Sequence, residues 1–125
     1  MKRLPVKYIR DKAKSAYIKD DQCYICQAPG QLQLHHFNSI TLLWERWIRK
    51  NNIQIQLEAD ILANRDVFIS QHYDEIYIQT VTLCKSCHMD KLHRVFGKVP
   101  TLATAKSQPK WCEKLKKKLD TRIKL

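Results

Sequence analysis

The sequence predicts an α+β domain stapled by a metal ion, and three observations carry that prediction. Four segments repeat their apolar residues with a helical period, two others have the alternation or composition of β-strands, and each strand adjoins a Cys-x-x-Cys pair. The chain has 125 residues, enough for one domain with a modest core. Apolar residues make up 44% of it, and with only 2 glycines it has no Gly-rich phosphate loop. No apolar run approaches the roughly 18 residues that cross a membrane. The charged start, Met1 to Lys7, has no apolar stretch behind it, so a secretory signal is not expected.

The elements follow in order. Residues 8–19, with Tyr8, Ile9, Ala13, Ala16 and Tyr17 as the apolar set, predict a short helix. Cys23-Tyr24-Ile25-Cys26 is a tight turn, and residues 31–37 alternate in strand period: Leu32, Leu34 and His36 one way, Gln33 and His35 the other. Ser39 is a fitting N-cap for a helix to about Lys50, striped by Ile40, Leu43, Trp44, Trp47 and Ile48. A second helical pattern covers about 56–72, with Leu57, Ile61, Leu62, Phe68, Ile69 and His72 on one stripe. Residues 76–83 are β-branched and aromatic, so a strand is expected. A helix follows from about Cys87 to Phe96, closed by Gly97. Pro109 suits the first turn of a last helix, along which Trp111, Leu115, Leu119 and Ile123 recur every four residues.

The formal charge is +11, and its placement is more informative than its size. Residues 1–22 carry seven Lys/Arg against three acids, residues 23–97 seven against seven, and residues 98–125 nine against two. A neutral centre between basic arms suits a site that approaches a polyanion, with the arms holding phosphates on either side. Segment 51–83 has one basic residue against five acids and is expected to face away from nucleic acid. The charge makes a nucleic acid the expected partner, with no membrane.

Cys23, Cys26, Cys84 and Cys87 form two Cys-x-x-Cys pairs 57 residues apart. Each turn aims two thiolates at one point, and two such turns offer a tetrahedron of sulfurs to a structural Zn2+. Disulfides would need an oxidising compartment and would leave Cys112 unpaired. Cys84-Lys85-Ser86-Cys87-His88 also matches a c-type haem attachment sequence, but that would leave Cys23 and Cys26 without a role. No βαβ pattern surrounds either pair, which argues against a thioredoxin-like redox site. Chelation is expected to unfold the protein, because structural zinc contributes roughly 10–16 kcal/mol.

Zinc would also bring the His35-His36 strand beside the helix that starts at His88. Leu34-His35-His36 together with Val81-Thr82-Leu83-Cys84-Lys85-Ser86-Cys87-His88 resembles the HNH endonuclease family, and most of all its small members with a four-cysteine zinc site, often phage-encoded and homing-type. The match covers about 23–40 and 79–97. The resemblance implies a ββα-metal core over 23–97, with an inserted helical element at about 39–75, an N-terminal basic arm over 1–22 and a basic C-terminal helix over 98–125. By position, His36 matches the general base, His35 the first ligand of a catalytic Mg2+, Mn2+ or other divalent ion, and His88 the second ligand. It implies phosphodiester hydrolysis of double-stranded DNA with 5′-phosphate and 3′-hydroxyl products, by a monomer or homodimer, in the cytoplasm of a host cell. The chemistry fits the residue types: imidazole titrates near neutral pH, and a cation offsets charge building on the phosphate.

The chain departs from the family pattern in three places. Gln79 stands where the family has its middle Asn; its amide is expected to orient the loop that bears the base. Leu92 stands where the family often has a further His, and His93 follows; five residues of α-helix turn about 500°, which would set His93 about 140° from His88. The stretch between His36 and Cys84 is longer than the usual core. Adjacent strand residues face opposite ways, so aiming both His35 and His36 at one phosphate calls for a distortion near Phe37-Asn38. Lys91 and Arg94 on the motif helix, and Lys114, Lys116, Lys117 and Lys118 on the last one, are the expected DNA contacts. His93 is read as a ligand or phosphate contact, Asn38 as a possible aid to either. His72, Trp44 and Trp47 are read as core, and Cys112 as a free thiol. The alternative function is a zinc-stabilised nucleic-acid-binding module without catalysis, which Gln79 and Leu92 favour.

Overall fold

The computed structural model describes residues 6–123, with side chains as far as Leu119. Lys2, Arg3 and Lys124, which add to the charge of the two flanks, and the side chain of Ile123, the last rung of the predicted ladder, lie outside the described residues. The elements are α1 (Lys7–Lys14), β1 (Leu32–His36), α2 (Ile40–Lys50), α3 (Glu58–Gln71), a π-helical segment (Asp74–Ile78), β2 (Thr80–Cys84), a second π-helical segment (Ser86–Leu92), α4 (His93–Phe96), a 3-10 turn (Leu102–Thr104) and α5 (Ser107–Ile123). The fold is mixed α+β with one two-stranded antiparallel sheet among the described residues, in which Leu32 faces Cys84 and His36 faces Thr80.

Two apolar clusters flank this hairpin. The first joins Ile9 and Ala13 of α1 to Ile40, Leu43, Trp44 and Trp47 of α2, Ile61 and Phe68 of α3, and Ile76. Ser39 caps α2 as expected, accepting from the Leu42 N–H at 3.4 Å. The rings of Trp44 and Phe68 meet edge to face at 5.2 Å, and Trp47 Nε1 donates to Gln71 Oε1 at 2.8 Å, so both tryptophans are core. The N-terminal segment is therefore no loose arm: Ile9 and Ala13, one turn apart, are fully buried. The second cluster gathers Cys23, Ile25, Phe37, Leu83, Cys84, Cys87, Leu92 and Cys112, with Trp111, Leu115 and Leu119 of α5 leaning on it.

Three expectations are corrected. Helix 8–19 stops at Lys14, because the Ser15 hydroxyl donates to the Lys12 carbonyl at 2.6 Å and the next N–H groups make tighter i−3 bonds. The stripe on 56–72 is narrower than read: Ile61 and Phe68 are buried, but Leu57 is 68% exposed and Leu62 44% exposed, since α3 covers a small cluster along one seam. The strand expected over 76–83 begins only at Thr80. Ile76 is pulled into the first cluster, and Gln79 N–H closes a π-type turn onto the Asp74 carbonyl at 2.7 Å. Ile76 serves burial there and not pairing, while Ile78 is 63% exposed.

Candidate metal centres and the cleft between the clusters

The first knuckle is folded by its own backbone: Gln27 N–H returns to the Cys23 carbonyl at 2.9 Å, and Cys23 N–H donates to the Ala28 carbonyl at 2.8 Å. Tyr24 N–H donates to the Thr82 carbonyl at 2.9 Å, tying this knuckle to β2, which carries Cys84 into the second. The four sulfurs lie within 4.8 Å of one another, and none is in a disulfide. Cys26 Sγ and Cys84 Sγ are 3.6 Å apart. Sulfurs about 2.3 Å from one tetrahedral ion would be about 3.8 Å apart, so the set fits zinc. Burial pushes the Cys87 thiol up and opposes ionisation of Cys23, but backbone hydrogen bonds from Cys26, Cys84 and Ile25 outweigh it and bring Cys23 down to about 7. Cys112, in the same cluster, is a buried free thiol pushed up to about 12 by burial.

A second group of donors forms beside the first. His35 Nδ1 lies 2.9 Å from His88 Nε2, and His93 Nε2 lies 3.0 Å from the same atom. The far nitrogen of each ring meets a carbonyl oxygen: His35 Nε2 on Gln108 Oε1 at 2.7 Å, His88 Nδ1 on Gln33 Oε1 at 2.7 Å, and His93 Nδ1 on the Gly97 carbonyl at 2.7 Å. Carbonyl oxygens only accept, so each far nitrogen carries its ring's proton. The Gln108 amide cannot be reversed without loss, because its Nε2 already donates to the Phe37 carbonyl and to Thr104 Oγ1, both at 3.0 Å. Three bare lone pairs therefore converge. They repel one another unless a cation lies between them. Nitrogens about 2.1 Å from one ion and at right angles around it would be about 3.0 Å apart, so this set also fits a metal. Burial lowers His35 to about 4, with the Gln108 bond opposing, and lowers His88 to about 4, helped by repulsion from His93. Both are neutral near pH 7, as ligands must be.

His93 belongs to this group because the helix is not α-helical. Over Ser86–Leu92 the chain is π-helical, and the His93 N–H bonds the His88 carbonyl five residues back. Five residues of this wider helix make little more than one turn, so His93 lies over His88 with ring centroids 4.5 Å apart. Leu92, at the position where the resemblance would place a histidine, is fully buried in the second cluster.

His36 follows the strand alternation and points to the other side of β1 from His35. No distortion precedes it: β1 pairs regularly through His36 opposite Thr80. Its ring packs at 5.0 Å from Tyr17, burial lowers its pKa with the Ile76 carbonyl opposing, and its Nε2 is buried with no protein partner. One open cleft of about 530 Å³ nevertheless reaches both sides, lined by His35, His36, His88 and His93 together with Tyr17, Arg10, Lys14 and Lys98. The cleft runs past the end of the strand, which joins the two faces without a bend in it. Gln79 holds the loop that follows: its Oε1 accepts from Asn38 Nδ2 at 2.8 Å and its carbonyl from the Phe37 N–H at 3.2 Å.

The predicted DNA contacts lie elsewhere. Lys91 and Arg94 are exposed on the motif helix, Lys116 Nζ sits over the Tyr24 ring at 4.2 Å, Lys117 meets Glu113 at 3.6 Å, and Lys114 and Lys118 are exposed. None of these six is among the cleft-lining residues. The acids of segment 51–83 do not line it either.

With this geometry in place, comparison with known families is decisive. The model of the nicking endonuclease family, labelled for phage T5, matches residues 1–121. The chain belongs to this family. A nicking endonuclease is a DNA nuclease, so its substrate is DNA, and the phage label agrees with the expected source. The match takes in residues 1–22, the neutral centre and most of the C-terminal flank. No solved structure matches the chain. No described helix is long and apolar enough to cross a membrane.

Some residues of this nicking endonuclease's site went unread in the sequence. Gln33 was legible in principle, since it shares a strand face with His35 two residues on. Tyr17 was read as a helical apolar residue, and the early end of α1 turns it over His36 instead. Gln108 had no signal: it lies 73 residues from His35 and reaches it only once α5 has docked.

Proposed function

We propose that this nicking endonuclease is an HNH enzyme that hydrolyses one strand of duplex DNA, with 23–97 as its ββα-metal core, 39–75 as the inserted helical element, and flanking segments 1–22 and 98–125. The observation that carries the reading is the convergence of three ring nitrogens, His35 Nδ1, His88 Nε2 and His93 Nε2, beside a cleft that is also lined by His36, whose buried Nε2 has no protein partner. His35, His88 and His93 would hold a Mg2+, Mn2+ or similar ion, whose charge would offset that on the reacting phosphate. Cys23, Cys26, Cys84 and Cys87 would hold a structural Zn2+.

His36 is the general base. Its lowered pKa keeps it neutral near pH 7, and Nε2 takes a proton from an attacking water. The water oxygen bonds to phosphorus, the bond to the 3′ oxygen breaks, and the products carry a 5′-phosphate and, after protonation, a 3′-hydroxyl. Gln79 positions His36 through Asn38 and the Phe37 N–H. One such centre per chain suits a nick by a monomer, acting in the cytoplasm of the phage's host. Supercoiled plasmid incubated with Mg2+ or Mn2+ should pass to the open circle before any linear form. His36→Ala should slow this about 10²- to 10⁴-fold while duplex binding persists. Full activity of that variant, or no cleavage with any divalent ion, would reject the reading.

A further inference from the structure

The charge of the two flanks meets at the cleft. On α1, Ile9 and Ala13 face the first cluster and are fully buried. Arg10 and Lys14, each one residue further on and one turn apart, therefore share the neighbouring face, and both are exposed and line the cleft. Tyr17 continues the same side past the end of the helix. From the opposite flank, Gly97 closes α4 at φ 93° and turns the chain so that exposed Lys98 lines the cleft as well. Asp11 is the one acid in the lining, so its Arg, Lys and Asp side chains alone sum to a net charge of +2. The lysine-rich face of α5 contributes nothing to it.

We infer that Arg10, Lys14 and Lys98, drawn from both flanks of the chain into one cleft, form a clamp for the phosphates of the strand being cut, and that this cleft, not the lysine face of α5, is the main DNA-binding surface. The inference rests on the nuclease reading above for the position of the scissile phosphate at the histidines. These cations line the same cleft as the histidines, so they would hold phosphates neighbouring the one that reacts. The α5 lysines are partly committed within the fold, Lys116 over Tyr24 and Lys117 to Glu113.

The test is equilibrium binding of the full zinc-loaded chain to a fluorescent duplex of about 30 base pairs, with no added divalent ion, across a salt series. Each phosphate contact removed lowers the slope of log K against log salt by about 0.9, so Arg10→Gln/Lys14→Gln/Lys98→Gln should lower it by about 2.7. Between 50 and 200 mM salt the wild type should then lose about 40-fold more affinity than the variant. Asp11→Asn should instead tighten binding, a gain that a damaged fold would not give. Lys114→Gln/Lys118→Gln should leave the slope nearly unchanged. An unaltered slope in the cleft triple, or an equal fall in the α5 double, overturns the clamp. If the slope falls as stated but plasmid is never nicked, the clamp stands and the nuclease reading fails; nicking with an unaltered slope gives the reverse.

Discussion

Gln108 commits all of its hydrogen-bonding at the histidine cluster, although it is neither a ligand nor near the motifs. It is fully buried, accepts from His35 Nε2, and anchors itself on Phe37 and Thr104. Its effect is to fix which nitrogen of His35 keeps the proton, and so to leave Nδ1 free. Partners of this kind are worth about 10- to 100-fold in metal affinity. Gln108→Leu should therefore weaken Mn2+ binding by that factor, measured from free-ion signal in a titration. Zinc content should stay at the wild-type level, because the four sulfurs lie in a separate group. Unchanged Mn2+ affinity would reduce Gln108 to packing. Gln33 and the Gly97 carbonyl play the same part for His88 and His93, so the tautomer of every ring in the group is set from outside it.

At the scale of elements, the π-helical segment decides which residue joins the site. An α-helix over 86–96 would turn His93 away from His88, whereas the wider π-helical turn brings the two together and sends Leu92 into the core. Exchanging the two residues, as Leu92→His with His93→Leu, restores the spacing that the resemblance suggests. It should nonetheless abolish Mn2+ binding and cost at least about 2 kcal/mol in urea denaturation, because an imidazole would replace fully buried aliphatic volume. Retained metal affinity would mean that the segment relaxes to an α-helix. The same element marks the limit of what the chain displays in one dimension. Cys-x-x-Cys pairs, a capping serine and a double histidine are local patterns, and Ser39, the cysteine quartet and the meeting of His35 with His88 were legible from them. A π-turn has no composition of its own, so His93's orientation was read from the wrong period. The segment 76–79 was misread for a related reason: Ile76 and Ile78 have strand composition, but burial of Ile76 against α2 and α3 settles its conformation. Gln108 was out of reach because its contact depends on how α5 docks.

The whole molecule is two cores joined through a hairpin, and they depend on metal unequally. The second cluster counts Cys23, Cys84 and Cys87 among its eight buried residues, so without zinc its centre is thiols held by a few turn hydrogen bonds. The first cluster contains no cysteine and packs Trp44 and Trp47 against Phe68. The expectation that chelation unfolds the whole chain is thereby narrowed. Zinc binding of roughly 10–16 kcal/mol is as large as the stability of a typical domain, so its loss should collapse the second cluster. The first should survive as a helical unit. The tryptophans report on each: Trp111 leans on the zinc cluster, and the other two lie in the helical one. Under reducing conditions, a strong chelator should lower the helical circular dichroism signal only in part. Wild-type emission should shift to the red, while that of Trp111→Phe should barely move. Equal red shifts in both proteins would show that the clusters unfold as one unit, with the hairpin transmitting the loss. If the clusters separate, Arg10 and Lys14 stay with the first, in which the helix that carries them is packed. Metal removal would then disable DNA binding by parting Arg10 and Lys14 from Lys98 before it unfolds the helices that carry the first two.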